Sequence, residues 1–491
     1  MEIWFISGII KNNIQEIYCN TAITQLMKKD RWKQPMAKID RHTFQTKTRH
    51  MSADLKQKIN SGAYSPGEYL PSELALTELY KLSKNSVRYV LDELVQEGLI
   101  IKIPRVGTQV AKSIAKETIR FGVYPSLYKE AGMEELIKRF HENYPHIHVE
   151  TIELPYVSSD SIANLIKLGI VDVLTVNLQD MYQFKERKSL DLFAGQDRHD
   201  NIYPFLTTYF EKEPGVVAAQ PFVYSPVILC YNKEHLKEKR LGEPNSSWSW
   251  DELATLLREL KAPHRYSIAF QLFSMNRWPI FWMQNEDDPA SADYNPPQDG
   301  TGLPTEGLRW LRDLVTEEGI FPLALAQGEF EAEKLFREQK VSVMLTTYYM
   351  LNELKNADFS FDIAQLPHFK NDKTLLLSTG IALSSESGHK EPAACFVNYL
   401  TSDEAQTYIR QHTYSLPASR YITETVSVDM INKPSRLELH RDYSSKYTTY
   451  HDLSMSIETL IRFGESLKQY MSYLTDEEGL AEVLLPAKSL N

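Results

Sequence analysis

From Ile119 onward, short apolar runs alternate with amphipathic segments, and this alternation constrains the fold more than any other feature of the chain. Ile119–Tyr124 alternates like a strand, whereas Met133, Leu136, Ile137 and Phe140 trace one helix face. Ile147–Leu154 is strand-like again, Ile162, Leu165 and Ile166 mark a second helix, and Val171–Val176 reads as a buried strand. Three strands with helical crossovers at this spacing require a parallel, doubly wound lobe. Ligands of such lobes sit beyond the carboxyl ends of the strands, which nominates Tyr124, Asn177, Gln179 and Asp180. At 491 residues the chain has room for two to four domains.

Beyond this lobe, Gly215–Asn232 reads as strands crossing to a second one. Ser249–Glu252 is a capping box that opens a helix carrying Leu253, Leu256, Leu257 and Leu260. An aromatic segment, Asn276–Trp282, precedes a Pro/Gly/Asp-rich loop at Asp287–Pro304. Leu308, Leu311, Leu314 and Val315 mark a further helix, stopped at Gly319. A strand at Val341–Leu345, a turn at Thr346–Tyr349 and a strand at Ser378–Leu383 follow, and the tail is expected to be helical over Leu453–Leu474 and to pack on the second lobe.

The segment before this body differs in charge and in pattern. Residues 1–113 carry 17 Lys and Arg against 11 Asp and Glu, while the remainder carries 37 against 54. A basic head on an acidic body is the asymmetry expected when one end meets a polyanion. Leu55 and Ile59 lie one turn apart before Ser61-Gly62, which predicts a short first helix. Pro71 and Ser72 open a second, with Ala75 and Leu79 expected on its inner side. Ser83 is the expected N-cap of a third, whose Val87, Val90, Leu91, Leu94 and Val95 form an apolar stripe ended by Gly98. Leu99–Ile103 and Thr108–Ala111, joined through Pro104 and Gly107, complete a two-stranded wing. In such a winged helix-turn-helix the third helix enters the major groove. Its first turn offers Lys84, Asn85, Ser86 and Arg88: Lys84 and Arg88 for guanine edges or phosphates, Asn85 for adenine. The competing reading of so small a basic group is a solvated helix face. Ser72, Arg105, Gly107 and Thr108 complete the expected DNA-facing set.

Residues 51–113 resemble the DNA-binding domain of GntR-type bacterial transcription regulators. The likeness rests on Asn60-Ser61-Gly62, Pro66-Gly67 and Leu70–Glu73, then on the Ser83, Ser86, Val87-Arg88, Leu91, Leu94, Glu97-Gly98 series, then on Gly107-Thr108 and Val110. It implies that Lys84, Arg88 and Gly107 contact DNA. Leu74 stands where the family often has a basic residue, and Lys84 where arginine is commoner. Residues 119–425 resemble the extracellular solute-binding proteins that deliver sugars to transporters. The matching stretches are IRFGVYP, MEELIKRFHENYP, DVLTV, YNKEHL, PNSSWSWDEL, LFREQKVSVMLTTYY, STGIAL, NYLTSDEAQ and LPASR, in that order. The fold expected is therefore multidomain, an N-terminal winged helix-turn-helix of the α+β kind followed by a two-lobed α/β periplasmic-binding-protein type II fold. The divisions are an N-terminal extension at 1–50, the head at 51–113, a linker at 114–118 and the ligand-binding body at 119–491.

Pyranose rings stack on flat aromatic side chains, so Tyr224, Trp278, Trp282, Tyr348 and Tyr349 are candidate sugar platforms, with Asn276 and Gly380 beside them. The alternative for each ring is that it fills core between the lobes. Phosphate-loop, dinucleotide, metalloprotease and nucleophile-elbow motifs are absent, and no catalytic residue or cofactor is expected. His146 and His148 lack a third ligand nearby and are not read as a metal site. Cys19, Cys230 and Cys395 are too scattered for a disulfide framework. The apolar stretch Ile3–Ile10 follows Glu2 rather than a basic cluster, so no signal peptide is read there, and no run is long enough to span a membrane. Together these features predict a cytoplasmic, homodimeric transcription regulator that binds operator DNA and senses a sugar or oligosaccharide, with carbohydrate uptake or utilisation genes as its targets. Two alternatives stay open: an exported sugar-binding component of a transporter, and a regulator with an aminotransferase-like body.

Overall fold

The structure, a computed structural model, describes residues 41–60, 62–111, 117–154, 159–245, 247–285, 305–326, 332–428, 430, 432–453 and 455–483. It divides into two units, 1–113 and 114–491. Cys19, the Ile3–Ile10 stretch, the Ser61 stop and the Asp287–Pro304 loop lie outside the described residues.

The first unit holds three helices, α1 (Arg41–Asn60), α2 (Glu73–Tyr80) and α3 (Lys84–Gln96), and a ribbon of β1 (Ile100–Ile103) and β2 (Gly107–Val110). Met51, Leu55 and Ile59 on α1 pack against Val87, Val90, Leu91 and Leu94 on α3, all buried. The first helix starts at Arg41, upstream of the expected boundary at Met51. The inward position one turn before Met51 is the buried Thr48, so apolar periodicity fades although the helix continues. In α2 the buried residue is Leu76; Ala75 and Leu79, expected on the inner side, face solvent. An eight-residue helix with Leu74, Leu76 and Leu79 has apolar residues on both sides, and only tertiary packing against α3 selects Leu76. Each cap is satisfied locally: Ser72 Oγ accepts from Ala75 N and Ser83 Oγ from Ser86 N, both at 3.2 Å. Between them Lys81 takes a left-handed conformation, φ 51°, and turns the chain. The ribbon pairs Ile100 with Val110 and Ile103 with Gly107, and residues 67–70 line its outer edge through Leu70 N to Thr108 O and Val110 N to Glu68 O.

The second unit is built on one sheet whose strands, in spatial order, are Tyr266–Ala269, Val341–Thr347, Ala219–Asn232, Thr374–Leu383, Val173–Asn177, Glu117–Val123 and Ile147–Glu153. The last three are parallel to one another, as the alternating pattern requires. Ala219–Asn232 is buried at all 14 positions and serves both halves. Its first part pairs with Thr374–Leu383, and Val227–Asn232 pairs with Val341–Thr347 and Phe361–Ala364. Two neighbouring crossing strands thus join two lobes. The first lobe centres on Phe121, Phe140 and Phe396, with Phe140 4.8 Å and Phe121 5.1 Å from the Phe396 ring. The second gathers Trp250, Trp278, Phe281 and Leu311, and the helix Ile457–Met471 adds Leu460, Phe463 and Leu467 to it. The capping box at Ser249 is formed, with Glu252 N donating to Ser249 Oγ at 3.2 Å and Ser249 N to Glu252 Oε2 at 2.7 Å. No helix among the described residues is long and apolar enough to cross a membrane.

Candidate ligand cavity and nucleic-acid face

On the first unit, Lys84, Asn85, Arg88 and Tyr89 are exposed along one side of α3. Arg88 Nε donates to both carboxylate oxygens of Glu73, at 2.9 and 3.2 Å. That contact reaches from α2 to α3 and orients the guanidinium fork without using its two terminal nitrogens, which are the groups that match a base edge or phosphate. Neither composition nor periodicity encodes this Glu73–Arg88 contact. Ser86, expected to face DNA, is instead buried, its Oγ 2.7 Å from Ser83 Oγ; the cap that starts the helix consumes it. Ser72 is exposed, but its hydroxyl caps α2. In the wing, Pro104, Arg105, Val106 and Gly107 project into solvent, and Thr108 is half-buried. Gly107 has φ 150° and Arg105 φ 67°, which brings the ribbon around in three residues. The rings of Tyr69 and Tyr89 are exposed as well, 48% and 55% accessible.

In the second unit a cavity of about 360 Å³ opens at the carboxyl ends of the strands, beside the crossing strand Thr374–Leu383. Tyr124, Asn177, Gln179, Asn276 and Tyr349, all proposed from sequence, line it. So do Ser126, Glu130, Gln271, Arg277, Glu333, Thr347, Met350, Ser378, Thr379 and Tyr450, which were not. Tyr124 directly follows strand Glu117–Val123, and Asn177 ends strand Val173–Asn177 while capping the helix Leu178–Glu186, its Oδ1 accepting from Asp180 N at 2.8 Å. The Tyr124 hydroxyl donates to Asp180 Oδ2 at 2.5 Å and accepts from Asn177 Nδ2 at 3.3 Å. Asp180 is therefore a buried support behind Tyr124 rather than part of the wall, and burial raises its carboxyl to about 6. Opposite, the Tyr450 hydroxyl lies 2.5 Å from Asn276 Oδ1, which fixes that amide with its NH₂ group available.

Three acidic or basic side chains, besides the tyrosines, reach the cavity wall. Arg277 is buried, its Nε donating to Leu345 O at 3.1 Å and its Nη1 to Asn276 O at 2.9 Å. Glu333 is buried and accepts from the Thr346 hydroxyl at 3.4 Å. Glu130 lines the cavity and is half-buried, and burial pushes its carboxyl up to about 7. Amides, hydroxyls and carboxylates around tyrosine rings make a wall suited to a hydroxylated ligand.

The remaining sequence candidates sit elsewhere. Trp278 and Trp282 belong to the second-lobe core, 5.2 and 5.1 Å from the Phe463 ring, because the six-residue helix Trp278–Met283 is buried on every side. Tyr224 lies in an aromatic cluster with Tyr203 and Phe205, each 5.7 Å away. Tyr348 is fully buried and its hydroxyl donates to Leu437 O at 3.1 Å. Gly380 serves packing: a Cβ there would fall 2.8 Å from Phe210 Cε1 and 3.1 Å from Gln220 O. His148 stacks on His141 at 5.2 Å, and among the described residues no group of three His, Cys, Asp or Glu side chains is placed to hold a metal ion.

Comparison with known proteins follows the same division. Residues 124–407 match the family described as bacterial extracellular solute-binding protein, and residues 47–110 the family described as bacterial regulatory proteins, gntR family. Among curated relatives, the sn-glycerol-3-phosphate-binding periplasmic protein UgpB of Rhizobium meliloti is 23% identical over 232 residues, 44% of this chain and 53% of that protein. The uncharacterized HTH-type transcriptional regulator YieP of Escherichia coli is 37% identical over 60 residues, 12% of this chain and 26% of that one. The chain thus spans about half the length, or less, of these relatives. Among solved structures, the ABC substrate-binding protein Lmo0181 from Listeria monocytogenes in complex with cycloalternan superposes with TM-score 0.64 at 17% identity, over 75% of this chain and 96% of that one. At that identity the likeness is one of fold.

Proposed function

Because the chain belongs to the bacterial extracellular solute-binding protein family and carries a gntR-family helix-turn-helix domain ahead of that body, we propose that it is a ligand-responsive transcription regulator. The head reads operator DNA through Lys84, Asn85 and Arg88 on α3, with Arg105 and Gly107 of the wing along the backbone. The body binds a sugar or oligosaccharide in the cavity lined by Tyr124, Asn177, Gln179, Asn276 and Tyr349. Both families act by binding, and the reading assigns no chemical step. The observation that carries it is the presence, in one chain, of an exposed basic helix face and a polar cavity at the strand ends of a solute-binding fold.

Ligand acts by closing the lobes about the two crossing strands, Ala219–Asn232 and Thr374–Leu383. For closure to regulate, the DNA-bound and DNA-free states must differ in ligand affinity, and the same factor then changes operator affinity. A homodimer in the cytoplasm matches paired half-sites one helical turn apart. Genes for carbohydrate uptake or utilisation are the natural targets of such a sensor. Titrating a labelled operator fragment with the full chain, at several salt concentrations, tests the head. Salt-sensitive, sequence-selective binding supports the reading; affinity equal for every fragment removes it. The periplasmic location named for UgpB favours a transport role instead, but that role leaves the basic head unused.

A further inference from the structure

The walls of the cavity do not balance in charge. Glu130 and Glu333 line it, and Asp180 stands one hydrogen bond behind, on the hydroxyl of Tyr124. Against these three acids the wall offers one cation, Arg277. Two of its nitrogens are already held by the carbonyls of Leu345 and Asn276, and Glu333 is the acid whose field acts on it. Arg277 and Glu333 therefore offset one another. Lys129, next to Glu130 in sequence, points away to Glu353, with Nζ 2.8 Å from Oε1, and is exposed. Among the described residues Glu130 has no ion-pair partner within 4.0 Å, and the Ser126 side chain lies beside it. A carboxyl enclosed in this way either keeps its proton or meets a cation brought from outside.

We infer that the cavity takes a small hydroxylated ligand bearing one positive charge, of the amino-sugar class, with Glu130 holding the ammonium. The inference rests on the sensor reading above and narrows its ligand. A volume of about 360 Å³ is near the lower end for small-molecule pockets, which suits one or two sugar rings rather than a long chain. The ammonium supplies the cation that the wall lacks, while Gln179, Gln271 and the Asn276 amide serve the ring hydroxyls. A phosphorylated ligand is disfavoured, because its charge adds to those of Glu130 and Glu333 in an enclosed site.

The test is calorimetric titration of the full chain with four probes on one skeleton: D-glucosamine, D-glucose, N-acetyl-D-glucosamine and D-glucose 6-phosphate, with maltose and sn-glycerol 3-phosphate alongside. Glucosamine is expected to bind about tenfold or more tighter than glucose or its N-acetylated form, and the phosphate esters weakest. In E130Q, with unchanged circular dichroism, the ratio of glucosamine to glucose affinity should fall to about one; a ratio that stays at about tenfold overturns the inference. Glucose or maltose binding as tightly as glucosamine overturns the cation inference and leaves the sugar-sensing reading intact. Tightest binding by either phosphate ester overturns it as well, and no binding by any probe overturns both.

Discussion

Asp180 offers a quantitative check on how the cavity wall is held. Its carboxyl is buried, accepts from Tyr124, and is raised from 3.8 to about 6 chiefly by burial, with the hydrogen bonds opposing. The folded state thus binds a proton between about pH 4 and pH 6 that the unfolded chain has already lost. In that window stability falls as pH rises, and above it the full difference remains. Two pH units at about 1.4 kcal/mol each give a cost of ~3 kcal/mol at pH 8, falling to ~1 kcal/mol near pH 4.5. Asp180→Asn removes the charge but keeps an acceptor for Tyr124, and so stands in for the protonated carboxyl; the hydrogen bonds are already counted in the raised value. The variant should therefore be about 3 kcal/mol more stable than the parent at pH 8 and only about 1 kcal/mol more stable at pH 4.5. Urea unfolding followed by tryptophan fluorescence is the assay, since five of the seven tryptophans lie in residues 114–491. A variant that is less stable at pH 8, or whose difference from the parent is the same at both pH values, refutes the argument.

Three further outcomes follow from the geometry. Arg88→Ala should weaken operator binding by about ten- to a hundredfold, and Glu73→Ala by a smaller factor; the double variant should be no worse than Arg88→Ala, as read by fluorescence anisotropy. Trp278→Ala should cost about 3–5 kcal/mol in urea unfolding, because the ring is fully buried against Phe463, and a ligand bound by the parent should keep its dissociation constant. Gly380→Ala should cost about 1–3 kcal/mol, since its Cβ meets Phe210 Cε1 at 2.8 Å; unchanged stability would mean that the crossing strand shifts freely.

The parts that sequence made legible are those where a local rule decides the outcome. Val87, Val90, Leu91 and Leu94 form one helical stripe behind a serine cap, and all four are buried as that stripe requires. Tyr124, Asn177 and Gln179 line the cavity because strand ends in a doubly wound lobe face the cleft, whatever the ligand. Local rules fail where two faces compete. In α2, Leu74, Leu76 and Leu79 compete for the interior and only packing settles it. The aromatic segment around Trp278 and Trp282 misleads in the opposite way, since large rings suit a sugar platform and a core equally well. Arg277, Glu333 and Tyr450 come from separate stretches of chain that the crossing strands bring to one wall, and no spacing encodes that meeting. Ser86 shows a third cause: a polar residue in a helix's first turn is drawn inward by the cap that starts it.

If one chain couples sugar binding to DNA binding, operator affinity must differ between the filled and the empty cavity. Anisotropy of a labelled fragment from upstream of the neighbouring genes, titrated with the full chain with and without a ligand shown by calorimetry to bind, reads the coupling free energy itself. The operator dissociation constant is expected to move by about fivefold or more in one direction, and the ligand's own affinity to change by the same factor when DNA is present. An operator affinity that stays constant while the cavity is saturated contradicts this coupling.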